Sequence, residues 1–394
     1  MASPGPDRTA DRGAAAPVDG WLLAAVLALA AFGAVMVYSA SAVTAAARTQ
    51  DQFYFLKRQL LAAGVGLALL LGALRLGYRR FEGLAYPALI FTVFSLLLVL
   101  VPGVGKMAGG ARRWIGAGPL SFQPAELCKV ALVLYLARSL AYKRDKMRLF
   151  SIGFVPHIVV TVMLMGLCLL ERDLGTCIVL GAVLFAMLFA AGVKLGWLVS
   201  AVLFAAPVCW YLITGTHYRL QRWLAFKDPF AYRDGYGFQM VESLLGVGNG
   251  GWFGQGLGDG KGKLFYLPAA HTDFIGAVIA EELGLLGMLL LVALYAVFVW
   301  QGMRAAFRAG DAFGCYLALG LTTLVGVQAI FNLCVVLVLL PTKGLTLPFV
   351  SYGGSSLMTL MGASGLLLSV SAGQGGFLRR GSQAVRLSQA EVAP

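Results

Sequence analysis

Charge is what this chain has least of: Asp, Glu, Lys and Arg make up 12% of its 394 residues, against a hydrophobic share of 59%. That balance excludes an ordinary water-soluble domain. Histidine is scarce, with three in the chain, and the six cysteines (Cys128, Cys168, Cys177, Cys209, Cys315, Cys334) include no C-x-x-C spacing. All six lie in or beside apolar runs and read as small buried hydrophobes, so neither a disulfide framework nor a metal site is suggested. His157 stands alone in an apolar run and reads as a hydrogen-bonded core histidine. The short alternating segments of a transmembrane β-barrel are also missing.

What is there instead is a succession of apolar runs long enough to cross a ~30 Å hydrocarbon core. By length and hydropathy there are about ten, near 21–43, 58–76, 84–102, 123–142, 152–170, 174–193, 196–214, 274–300, 313–340 and 349–372. The expected fold is an all-α polytopic membrane protein. The first run, Trp21 to Val43, is too long for a signal-peptide core and is expected to be a retained span. Residues 1–20 read as a disordered tail, 21–372 as a single membrane domain, and 373–394 as a basic tail.

The formal charge of +13 is not a nucleic-acid signal. Arg75, Arg79 and Arg80 follow span two; Lys143, Arg144, Lys146 and Arg148 follow span four. Lys194, then Arg304 and Arg308, then Arg379, Arg380 and Arg386 follow spans six, eight and ten. A positive excess in alternate loops places those loops and both termini in the cytoplasm. The long polar interval 214–273, between spans seven and eight, is therefore extracytoplasmic.

Several outward features carry chemistry or are bland anchors. The loop Lys106 to Ile115 holds Lys106, Arg112 and Arg113 with no acid, which suits either lipid-headgroup anchoring or an anionic substrate. Glu126 and Lys129 open span four three residues apart, so they share a helical face and can pair. Asp173 begins a helix after the turn Glu171-Arg172-Asp173. The glycine-rich run Gly246 to Gly262 fits neither G-x-G-x-x-G nor Walker A and reads as a flexible or re-entrant loop. Glu281 and Glu282 lie about two turns into span eight and need partners there. Two prolines and Gly353-Gly354 make the connection 340–356, with its cation Lys343, a broken outer hairpin. One aspartate, Asp273, stands at the lip where the polar interval ends. The residues by themselves fit an enzyme for an anionic lipid-linked substrate and a transporter equally well.

The runs Tyr266-Leu267-Pro268-Ala269-Ala270-His271-Thr272-Asp273-Phe274, Ala280-Glu281-Glu282-Leu283-Gly284 and Ser351-Tyr352-Gly353-Gly354-Ser355 resemble the signatures of SEDS proteins, polytopic peptidoglycan glycosyltransferases. Arg113-Trp114-Ile115 and Gln123-Pro124-Ala125-Glu126 belong to the same resemblance, which spans nearly all but the tails. Leu340 to Pro348 looks like a division-type member rather than an elongation-type one.

The resemblance implies polymerisation of lipid II into β-1,4-linked glycan on the outer face of the bacterial cytoplasmic membrane, with septal division as the setting. A lipid II flippase is the alternative. Asp273 matches the family's catalytic aspartate, Glu126 and Lys129 a supporting charged pair, and Arg113 and Lys343 cations that meet pyrophosphate. His271, Asp173 and Ser355 are candidates for substrate loops. No cofactor is implied, although Mg2+ or Mn2+ could assist at pyrophosphate. The implied partners are a class B penicillin-binding protein and other divisome membrane proteins. The chain departs from the pattern at Ala269 (often Glu), Ser121 (often Arg), Arg172 (often Pro) and Ala280 (often Gly), which leaves the donor side open.

Overall fold

The computed structural model describes residues 18–108, 111–116, 121–260, 270–342 and 344–373. Nearly all of the two tails, the motif residues Tyr266 to Ala269, and Lys343 lie outside the described residues.

Helices occupy every apolar run: α1 (Gly20–Thr49), α2 (Tyr54–Leu76), α3 (Tyr78–Leu100), α4 (Pro124–Tyr142), α5 (Val155–Leu170), α6 (Leu174–Ala190) and α7 (Leu195–Thr214). Within the polar interval come α8 (His217–Lys227) and α9 (Phe238–Gly250), and then α10 (Ile275–Phe307), α11 (Ala312–Val336) and α12 (Gly354–Ser371). Among the described residues, eight helices have the length and hydropathy of a span. The other two at expected positions are α6, a shorter apolar helix of 17 residues, and α4, which carries Glu126, Lys129 and Arg138. In hydrocarbon a helix is the solution that satisfies its own backbone, which is why the apolar runs all resolve this way.

Burial sorts these helices. α4 is buried on nearly all sides from Pro124 to Leu140, flanked by α3, α6 and α11. α12 lies along α2, and α1 and α11 both pack on α10. α7 is the reverse case: Leu198 is its buried residue, and its apolar side chains face outward as lipid-facing residues do.

α10 is two helices. Gly284 has φ +65 and ψ −161, which interrupts the ladder inside the bilayer. Such a break exposes carbonyls on one side and amides on the other. The glycine-rich segment after α9 satisfies both. Gln255 and Gly256 donate their amides to the carbonyls of Glu281 and Glu282 at 3.0 and 3.1 Å, and Leu285 and Leu286 donate to the carbonyls of Gly251 and Trp252 at 2.9 and 3.2 Å. The run is a patch seated on a broken helix, and its glycines are required by that contact. Gly254 sits at φ +79, and a Cβ there would collide with the Glu282 backbone. Glu282 is itself buried and accepts a hydrogen bond from Ser39 Oγ of α1 at 2.5 Å.

Gly254→Ala should therefore destabilise the fold by at least about 1–3 kcal/mol, from strain and lost contact. Gly248→Ala, on α9 where a Cβ meets nothing, should be neutral or mildly stabilising. Thermal unfolding of the two variants in detergent checks the contrast; equal midpoints would refute it.

Candidate active site

Three loops and a hairpin converge where α10 begins. The hairpin pairs β1 (Lys106–Ala108) with β2 (Ala111–Trp114), and a bridge between Ile115 and Phe122, with N–H···O distances of 2.9 and 2.8 Å, leads the chain back to α4. This carries Arg113 onto the α5–α6 turn, where Nε donates to the Glu171 carbonyl at 3.0 Å and Nη2 to the Arg172 carbonyl at 2.6 Å. Arg172 adopts φ +59, and the Asp173 amide closes back on the Cys168 carbonyl at 2.9 Å. Asp173 then caps α6, accepting from the amide and hydroxyl of Thr176, both at 3.0 Å. Its carboxylate serves the helix start, where the dipole favours an anion.

Asp273 is the residue before the last non-helical position ahead of α10 and is held through its backbone. Asn332 Nδ2, from α11, donates to the Asp273 carbonyl at 2.9 Å and to the Leu345 carbonyl at 2.7 Å. Ser351 Oγ donates to the Thr272 carbonyl at 2.5 Å while accepting from the Leu347 amide at 2.8 Å. The Tyr352 amide donates to the His271 carbonyl at 2.9 Å. These bonds lash the α11–α12 connection to the 271–273 segment, and the missing side chain of Gly344 leaves room for the carboxyl: a Cβ there would stand 3.3 Å from Asp273 Oδ2.

Asp273 keeps partial exposure, yet its carboxyl is enclosed enough to lose hydration. That burial pushes its pKa up to about 6, against the opposing pull of Arg222 and Arg113 and with a further push from Asp173. The neighbouring acid Glu171 is pushed to about 8, chiefly by burial and then by Asp173, with Arg113 opposing. His271 is lowered to about 4 by burial and, secondarily, by Arg48. It is a neutral ring packed between Phe55 and Tyr352, with centroids at 4.6 and 5.7 Å.

Of the residues singled out by sequence, Asp273, Arg113 and Asp173 come together electrostatically. Glu126 and Lys129 form a buried pair, Oε2 to Nζ 2.8 Å, in the first turns of α4. Among the described residues, the cations that act on Asp273 are Arg222 and Arg113, while Lys129 is engaged with Glu126. Ser355 is buried and structural in its contacts: its hydroxyl donates to the Ser121 carbonyl at 3.3 Å and accepts from the Gln123 amide at 3.1 Å. Among the described residues no group of three or more His, Cys, Asp or Glu side chains could hold a metal ion.

Sequence reasoning missed two residues. Arg222 lies on α8, with Nη1 3.4 Å from the Thr342 carbonyl; its only sequence signal was its place between Arg219 and Lys227 in the long polar interval. Asn332, buried in an apolar helix, had the stronger signal, since an amide at that depth must find partners.

The arrangement defines a polytopic membrane protein with a polar site at one end of its bundle, where an enclosed aspartate stands near two guanidiniums. Residues 20–375 match the model of the FtsW/RodA/SpoVE family, described as cell cycle proteins. The chain is 46% identical to the probable peptidoglycan glycosyltransferase FtsW of Geobacter metallireducens, covering 89% of this chain and 93% of that protein. It is 39% identical to the stage V sporulation protein E of Bacillus subtilis, covering 89% and 96%. Among solved structures it resembles a chain of a peptidoglycan synthase complex that coordinates polymerization and crosslinking (TM-score 0.75, 33% identity, 90% of this chain and 97% of that one). It also resembles the rod shape determining protein RodA of Thermus thermophilus (TM-score 0.67, 31% identity, 90% and 96%). The chain belongs to the FtsW/RodA/SpoVE, or SEDS, family and within it is of the division type, FtsW-like.

Asn332→Ala should cost about 1–3 kcal/mol for the carbonyls it leaves unpaired and lower turnover by releasing the 271–273 segment. A variant with wild-type melting and activity would refute the tether. Lys129→Met leaves Glu126 buried without its partner and should cost about 3–5 kcal/mol, most of it regained in the Lys129→Met/Glu126→Gln double variant. Thermal unfolding of the singles and the double measures this; additive losses would show that the pair is not coupled.

Proposed function

We propose that the chain is a peptidoglycan glycosyltransferase that polymerises lipid II at the outer face of the cytoplasmic membrane, for septal wall synthesis, with Asp273 as general base. The activity is the one named for its 46% identical relatives. The observation that carries the base assignment is the placing of Asp273 at the mouth of the bundle, lashed by its backbone and raised by burial to about 6. A base works best with a pKa close to the working pH, and at neutral pH this carboxyl is ionised yet basic enough to take a proton.

In this reading the 4-hydroxyl of the GlcNAc of one lipid II attacks the anomeric carbon of a lipid-linked MurNAc. Asp273 accepts the hydroxyl proton as the new β-1,4 C–O bond forms, and the anomeric C–O bond to undecaprenyl pyrophosphate breaks, the electron pair leaving with the phosphate. Pyrophosphate is a good leaving group, so neutralising its charge replaces a general acid. Arg113 and Arg222, which act on Asp273, supply positive charge for that task; Lys343 joins them by resemblance alone.

A class B penicillin-binding protein would cross-link the product, with other divisome membrane proteins nearby, as the synthase complex similar to this chain suggests. The transporter alternative rests on the buried Glu126–Lys129 pair, since charges inside a bundle also mark transport paths.

Asp273→Asn should lower lipid II polymerisation by about 10²–10⁴-fold with folding and partner binding intact. The wild-type rate should climb as pH rises through about 6, because the ionised form is the active one. Glycan assays with purified protein and partner test both. Normal polymerisation by the variant would remove the base assignment, and lipid II movement across vesicles without polymerisation would favour transport.

A further inference from the structure

Glu171 is an anomaly that the reaction does not use. It is 1% exposed, and neither carboxyl oxygen has a hydrogen-bond partner among the described residues. A buried carboxylate in that condition is costly, and the usual escape is to hold a proton. The groups facing it are Arg113 from β2 and Asp173 at the cap of α6. Arg172 stands in its own turn, and Arg219 of α8 acts on the adjacent first turn of α6 at Cys177. Arg113 is close enough to bond the Glu171 backbone carbonyl at 3.0 Å, but its guanidinium goes to carbonyls and leaves the carboxyl alone.

The charges around Asp273 explain why this matters. Asp273 and Asp173 already set two acids near Arg113 and Arg222, and a charged Glu171 would add a third. A further anion here would oppose a substrate that arrives with a pyrophosphate.

We propose that Glu171 is a positioning residue: as an uncharged acid it leaves the Arg113 guanidinium to an anionic, pyrophosphate-bearing substrate, and on ionising it draws that guanidinium inward and turns the local field against the anion. The proton released on ionisation goes to solvent at the lip. Burial favours the uncharged form in neutral conditions, with the change centred near pH 8. The inference rests on the lipid II reading for its substrate, and it is independent of which group is the base.

The test is KM and kcat for lipid II between pH 6.5 and 9.5, using the full chain with its class B partner, for wild type, Glu171→Gln and Glu171→Asp. In wild type, KM should rise roughly threefold to tenfold as pH passes 8, the effect of one charge at short range. In Glu171→Gln the ratio of KM at high pH to KM at neutral pH should stay near one, and Glu171→Asp should restore the rise. A parallel rise in wild type and Glu171→Gln would overturn the proposal. Should the amide variant not fold, Glu171→Met supplies another uncharged side chain. Binding of lipid II in an Asp273→Asn background gives the same comparison without turnover. That arm separates failure of Glu171 as positioner, a flat or parallel binding profile, from failure of Asp273 as base, an active Asp273→Asn.

Discussion

No backbone amide or carbonyl can be left unpaired in hydrocarbon, and this constraint shapes the functional half of the molecule. A broken helix and irregular loops at membrane depth are tolerated only where other protein groups complete their hydrogen bonds. The interruption of α10 at Gly284 is completed by the glycine segment 251–256. The irregular connection before α12 is completed by Asn332, Ser351 and the Tyr352 amide, which bind the carbonyls of the segment carrying Asp273. The same bonds that solve the solvation problem fix the aspartate.

Electrostatics follows from that enclosure. Asp273 and Glu171 are both acids pushed upward by burial, but two guanidiniums act on Asp273 and one on Glu171. Environments that separate two carboxyls let one be an anion and the other a neutral acid at the same pH. Asp173, a third acid nearby, is spent as a helix cap. Three similar residues thus have three different tasks, assigned by what each one touches.

Hydropathy and charge bias were enough to read the bundle, because a span needs length and apolarity and nothing from its neighbours. Each of the ten expected intervals contains a helix, and the broken character of 340–356 was legible in Pro341, Pro348 and the Gly353-Gly354 pair. Asp273 was legible as the acid at the lip, and Arg113 as a cation in a loop without acids. The glycine run was legible as flexible, but its seat on the Gly284 break was not, since the hydrogen bonds joining residues 251–256 to 281–286 are tertiary.

The division between the two sources of information is physical. Composition and periodicity by themselves determined the all-helical membrane architecture and the motifs of the family, since these depend on local transfer free energy and on residue identity. Tertiary structure alone brought Arg222 and Arg113, among the described residues, to act on Asp273, and set Lys129 against Glu126. It also decided that Glu171, an acid in a short turn between two apolar runs, is buried. Coulomb interactions and desolvation depend on separation and enclosure in space, and neither quantity exists until the helices have packed.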